Sequence, residues 1–165
     1  MALVAAQIGN GGYKLQPHLV SAIQQNDGTR MLTNPEKKKI EWVDRHEIEV
    51  IKDGMRRVVT DGSGRYYADL DSIDVAGKTG TAQNPHGQDN GWFISFAPVE
   101  NPKIAVAVLV ENGGYGSISA APIASLLIEQ YLTGEVDRSY VYNYVKNFEP
   151  RKQTTDDEEE QELDG

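Results

Sequence analysis

The sequence predicts an α+β fold, an antiparallel sheet with helices packed on it, and three stretches carry the prediction. "GWFISFAPV" and "KIAVAVLVEN" read as two strands joined by Glu100-Asn101-Pro102, with Ile104, Val106, Val108 and Val110 on one face and the small Ala105 and Ala107 on the other. Asp44 followed three residues later by Glu47 forms a capping box, and Ile48, Ile51, Met55, Val58 and Val59 then recur at helical spacing, giving an amphipathic helix over about residues 45–59. "SAAPIASLLIEQYL" reads as a further helix with Pro122 tolerated in its first turn and Ile123, Leu126, Leu127 and Tyr131 as its apolar face.

The remaining elements follow from the N-terminus. Residues 2–9 are small and apolar throughout and read as the end of a helix stopped by "GNGG". A helix with almost no polar face is expected to be buried, here against a part of a larger domain outside these residues. The run is too short to span a membrane, and no basic leader precedes it. "KLQPHLVSAIQ" alternates as a strand, Asn26-Asp27-Gly28 marks a turn, and "TRMLTN" returns as its hairpin partner. "PEKKKIEW" reads as a solvated hairpin or loop. The aromatic spacing of "YVYNYVKNF" fits a strand or a loose helix extending the one before it.

Composition bounds the function classes. At 165 residues, with 39% hydrophobic and 25% charged side chains, the chain is expected to hold one folded unit over residues 1–150. Residues 151–165 are expected to be a disordered acidic tail, since "TTDDEEEQELDG" carries seven carboxylates, no base and little to bury. Those seven acids dominate the net charge of −9 and leave −2 for the rest, so the body is nearly neutral and no nucleic-acid surface is expected. There is no cysteine, and His18, His46 and His86 lie too far apart for ligand spacing, so no metal site is expected.

The chemistry centres on "VAGKTGTAQNPHG", residues 75–87. Gly77-Lys78-Thr79 would close a phosphate-binding P-loop, but the pattern demands glycine at position 72, where Ser72 stands. A P-loop lysine also opens a helix, and here Gly80 and Asn84-Pro85 break one. Lys78 is therefore placed on a strand, sharing one face with Gly80 while Thr79 and Thr81 share the other. Gly80 has no side chain, which lets a substrate peptide lie close to this backbone. His86 reads as a solvated loop residue, and Trp92 and Phe93 as core. Thr79 and Thr81 also suit a strand by propensity alone.

Lys78-Thr79-Gly80 is the third signature of penicillin-binding proteins and serine β-lactamases. With "AGKTGTAQ", "WFISFAP", "NPKIAVAVLVENGG", "AAPIA" and the upstream "GMRRVVTDGSG", residues 1 to about 139 resemble the end of a penicillin-binding protein transpeptidase domain, and most of all the elongation-type class B branch typified by penicillin-binding protein 2. "GSGRYY" departs from the Gly-Thr-Ala often found near this point. The resemblance implies that Lys78 supplies positive charge near the substrate carboxylate and the proton-transfer groups. It implies that Thr79 and Thr81 offer hydroxyls to that carboxylate, that Gly80 admits the peptide, and that the Thr81 backbone N–H is an oxyanion donor. Further implications are a stem peptide ending in D-Ala-D-Ala as substrate, β-lactams as its mimics, other cell-wall elongation proteins as partners, and no metal or organic cofactor. The parent would be anchored in the bacterial inner membrane, with this portion in the periplasm.

Acyl transfer also needs a nucleophile, which the family supplies in Ser-x-x-Lys, with Ser-x-Asn as a second signature. None of the eight serines of this chain has lysine three residues on or asparagine two residues on. The expectation is therefore a C-terminal portion of a transpeptidase domain, inactive alone. The alternative is a stand-alone, non-catalytic module of the same fold that binds peptidoglycan peptides or a cell-wall partner.

Overall fold

The computed structural model describes residues 1–150; the expected acidic tail at 151–165 lies outside the described residues. In chain order the elements are α1 (Ala2–Gly9), β1 (Tyr13–Leu15), β2 (Ala22–Gln24), β3 (Arg30–Leu32), β4 (Lys37–Lys39), α2 (Arg45–Thr60) and α3 (Arg65–Ala68). These are followed by β5 (Ala76–Ala82), β6 (Asn90–Ala97), β7 (Ile104–Val110), α4 (Ala120–Thr133) and α5 (Ser139–Lys146). The fold is α+β: β5, β6 and β7 form a three-stranded antiparallel sheet in that order, and helices pack on it.

The alternation read in β7 sorts the two faces of the sheet. Val106 and Val108 pair with Ser95 and Phe93 of β6, and this face meets Ala120, Ala124 and Ile128 of α4 in the larger core cluster. On the opposite face Phe96 meets Met55 of α2 and is joined by Ile8 of α1 and Ala105 of β7. Small residues at 105 and 107 leave room for α1, which packs across β6 and β7. Gly9 sits so close to the Phe96 ring that a Cβ there would lie 2.9 Å from it.

The cap of α2 forms as read: the Asp44 carboxylate accepts from the His46 N–H at 3.1 Å, and Glu47 accepts from the Asp44 N–H at 2.8 Å. Its inner face differs in one place, since Ile51 is exposed while the stem of Lys52 is buried. In α4 the expected apolar face is corrected. Leu127 and Tyr131 face solvent, and the buried side is Ala121, Ala124, Ser125 and Ile128. A helix laid over the fully buried Phe93 ring needs small residues at its closest approach, which these alanines supply.

The N-terminal strands also depart from the expected hairpin. Ala22–Gln24 pairs with Arg30–Leu32 around the Asp27-Gly28 turn, where the Asp27 carboxylate accepts from the Thr29 N–H at 2.8 Å. Tyr13–Leu15 is a separate strand, because Pro17 has no N–H to continue a ladder. Its partner is Lys37–Lys39, so the lysine run is an exposed strand rather than a loop. The Lys37 ammonium lies 4.3 Å from the centre of the Tyr13 ring, a cation–π contact that favours this pairing. The "YVYNYVKNF" segment is the independent helix α5, because Gly134 adopts φ 89° and ends α4.

Candidate functional site

The site is built on β5, whose free edge is one border of the sheet. Its register sets the faces: Thr79 stands opposite Phe93 and Thr81 opposite Gly91, whereas Lys78 stands opposite Ile94 and Gly80 opposite Trp92. The alternation read from the sequence is therefore present. Val75, Ala76 and Gly77 are buried and hold the start of the strand in the core, whereas Lys78 is exposed, Thr79 and Gly80 are half-buried, and Thr81 and Ala82 are exposed. A buried root and an exposed end make the strand a rigid arm for its later residues.

Gly77 has a packing reason to precede the lysine. A Cβ at this position would overlap the Phe93 ring, which lies directly under the strand. Gly80 leaves the face beside Lys78 low, since an added Cβ would come 3.3 Å from the Trp92 Cβ. Trp92 is half-buried on that same face rather than part of the core, while Phe93 is wholly buried.

Lys78 is exposed, and its ammonium donates to the Thr79 carbonyl at 2.6 Å. Among the described residues no carboxylate pairs with it, so its charge is available to an anion arriving at the strand edge. The Thr79 hydroxyl is 2.7 Å from the Ser63 hydroxyl. A hydroxyl has one donor and two lone pairs, so a bond accepted from Ser63 leaves the Thr79 proton free for a carboxylate. Thr81, near the exposed end of the strand, has an open side chain.

Ser63 is the residue that sequence reasoning missed. It lies in the Gly62–Gly64 turn after α2, within the loop that departs from the family pattern. The turn is fixed by the Gly64 N–H donating to the Val58 carbonyl at 2.9 Å, and by the Gly62 N–H donating to that of Arg57 at 2.9 Å. Below it, Arg56 grips Asp74 at 2.8 Å just before β5, and its hydrogen bond to that carboxylate raises the guanidinium pKa above its ordinary value. Helix α2 and strand β5 are thus tied at two levels.

The loop after β5 is ordered by asparagines. Asn84 donates through its amide to Asn112 at 3.0 Å, its own carbonyl oxygen accepts from the His86 N–H at 3.1 Å, and the Asn112 N–H donates to Asn90 at 2.9 Å. Asn112 adopts φ 55°, a left-handed conformation that asparagine tolerates better than most residues. The His86 side chain is exposed, as its reading as a solvated loop residue requires. Chemically, the arrangement offers a cation, two hydroxyls and an open backbone edge along one rigid strand, which suits capture of an extended chain bearing a carboxylate.

Comparison with known proteins gives concordant matches. A family model described as the penicillin binding protein transpeptidase domain matches residues 1–129. The peptidoglycan D,D-transpeptidase PbpA of Mycobacterium tuberculosis is 34% identical over 145 residues, a match covering 81% of this chain and 29% of that protein. The peptidoglycan D,D-transpeptidase MrdA of Haemophilus influenzae is 39% identical over 113 residues, covering 58% of this chain and 17% of that one. Among solved structures, the D,D-transpeptidase domain of a peptidoglycan glycosyltransferase from Eggerthella lenta superposes with a TM-score of 0.71 at 33% identity, covering 81% of this chain and 31% of that one. The ceftriaxone acyl-enzyme of penicillin-binding protein A from M. tuberculosis gives 0.70 at 33% identity, covering 79% and 31%. The chain spans less than a third of the length of each of these relatives.

Proposed function

Because this chain belongs to the penicillin-binding protein transpeptidase family, we propose that it is the C-terminal portion of the transpeptidase domain of an elongation-type class B enzyme, with the domain portion over residues 1–150. The parent cross-links peptidoglycan stem peptides ending in D-Ala-D-Ala through an acyl-serine intermediate, and β-lactams acylate the same serine. It works with other cell-wall elongation proteins, anchored in the inner membrane with this portion in the periplasm. Among the described residues no helix is long and apolar enough to cross a membrane.

One observation carries the reading: an exposed sheet edge on which Lys78, with no carboxylate partner among the described residues, the hydroxyls of Thr79 and Thr81, and the side-chain-free Gly80 follow one another. Lys78 and the two threonines take the terminal carboxylate of the substrate. The Thr81 N–H donates to the oxyanion as the parent's serine adds to the scissile carbonyl. A donor fixed in a strand costs no reorganisation when charge develops, and one such donor is worth about a hundred- to a thousandfold in rate. The nucleophile and its lysine come from the rest of the parent.

Labelling with fluorescent penicillin tests this. The isolated chain is expected to take no label, and the parent one label on a serine outside these residues. A covalent adduct on any of the eight serines here overturns the assignment of the nucleophile. An upstream reading frame without Ser-x-x-Lys and Ser-x-Asn overturns the enzyme reading in favour of a binding module.

A further inference from the structure

Helix α5 lies beyond the residues that the family model matches. Tyr140, Tyr144 and Phe148 recur at four-residue spacing along it and just past its end, which puts their rings on one stripe. That stripe lines a groove of about 810 Å³, whose other wall is the segment between β7 and α4, with Tyr115 and Ile118. The volume falls within the ~300–1,000 Å³ of small-ligand sites.

The floor of the groove is fixed and its sides are open. Tyr144 stacks on Tyr67 with ring centres 4.6 Å apart, donates its hydroxyl to the Ile118 carbonyl at 2.9 Å, and carries Phe148 against it at 5.8 Å. Tyr115 and Tyr140, by contrast, are 67% and 62% exposed. Amides from Gln88, Asn143 and Asn147 complete the lining, and among the described residues Glu149 is its one charged member.

We propose that this groove binds a neutral glycan, a β-1,4-linked N-acetylhexosamine chain. Pyranose C–H groups carry slight positive charge and settle on the electron-rich faces of aromatic rings, while amides both donate to and accept from hydroxyls and acetamido groups. Among the described residues the lining holds no cation and one carboxylate, which disfavours phosphates and other anions, and its amides disfavour a purely apolar ligand. Position adds to this. Gln88 belongs to the loop that follows β5, and the Gly114 N–H donates to the Asp89 carbonyl at 2.7 Å, so the groove abuts the end of the strand that carries Thr81. The choice of N-acetylhexosamine over other neutral sugars rests on the transpeptidase reading, since a stem peptide held on β5 hangs from such a chain.

The test is titration of the full ¹⁵N-labelled chain with chitotetraose, followed by amide shifts. Shifts are expected at Gln88, Gly114, Tyr115, Asn143 and Asn147, and Tyr115→Ala and Tyr140→Ala should each weaken binding about three- to tenfold, the value of one aromatic contact. Both side chains are exposed, so folding is retained, and Tyr140→Trp should restore binding. No shift at the groove, or undiminished affinity in the double alanine variant, overturns the proposal. Equal affinity for maltotetraose overturns the N-acetylhexosamine assignment. A separate titration with a stem pentapeptide, followed at Lys78 to Ala82, tests the transpeptidase reading: its failure with glycan binding intact counts against that reading and leaves a carbohydrate site.

Discussion

The hydroxyl oxygens of Ser63 and Thr79 lie 2.7 Å apart, joining the turn after α2 to the strand that carries Lys78. The bond fixes the rotamer of Thr79 before any substrate arrives. In the parent, Ser63→Ala is expected to slow acylation by penicillin about fivefold, the equivalent of one hydrogen bond of about 1 kcal/mol. Thr79→Val should slow it more, because on the proposed reading it removes the donor to the substrate carboxylate. Stopped-flow acylation rates check both, and an unaltered rate in Ser63→Ala would confine Ser63 to a structural role.

Lys78 is exposed and pairs with no carboxylate among the described residues. Lys78→Ala is therefore expected to change stability by no more than about 0.5 kcal/mol, while the parent's acylation rate falls about a hundredfold or more. Thermal unfolding and acylation measured on the same variant separate the two effects.

Gly77→Ala puts a methyl group into the space of the Phe93 ring. The expected cost is about 1–3 kcal/mol, as for other overpacked cores, read from the denaturant midpoint. Combining it with Phe93→Leu should cost less than the sum of the two single changes, because the smaller side chain vacates the contested space.

Glu129 on α4 and Arg138 before α5 form an ion pair at 3.1 Å with little exposure of either side chain. Glu129 also accepts from the Asp137 N–H, and Arg138 donates to the Tyr67 carbonyl. Glu129→Ala strands a buried guanidinium and should cost about 3–5 kcal/mol. Glu129→Leu with Arg138→Met should recover most of that loss, since no buried charge is then left alone. Urea unfolding of the unaltered chain and the two variants measures it.

Burial pushes the Tyr144 hydroxyl up to about 12 from its ordinary 10. The folded state thus holds this proton where the unfolded chain has lost it, so the contribution is full below pH 10 and disappears as pH rises to about 12. The melting temperature is expected to fall across that window more steeply than in Tyr144→Phe, and parallel profiles would remove the tyrosine from the cause.

Legibility followed the range of the interactions. The α2 cap, the Asp27-Gly28 turn and the two faces of β7 were readable because each is settled by residues within a few positions of one another. Within the candidate site, the placement of Lys78, Thr79, Gly80 and Thr81 on a strand and their alternation followed from its period of two. Ser63 could not be paired with Thr79, because sixteen residues separate them and α2 must first pack on β5.

The sequence by itself determined the α+β class, the capped helix and the strand bearing Lys78, since periodicity and caps are properties of short segments, and the resemblance carried by Lys78-Thr79-Gly80 and its flanks pointed to the family. Tertiary structure decided which side of α4 is inside, which strand the lysine run joins, and which hydroxyl holds Thr79. These are choices between faces and partners of similar local merit. They are made by the bulk of Phe93, by Pro17 withholding an N–H, and by the Tyr13 ring receiving Lys37, each a contact that exists only once distant segments have come together.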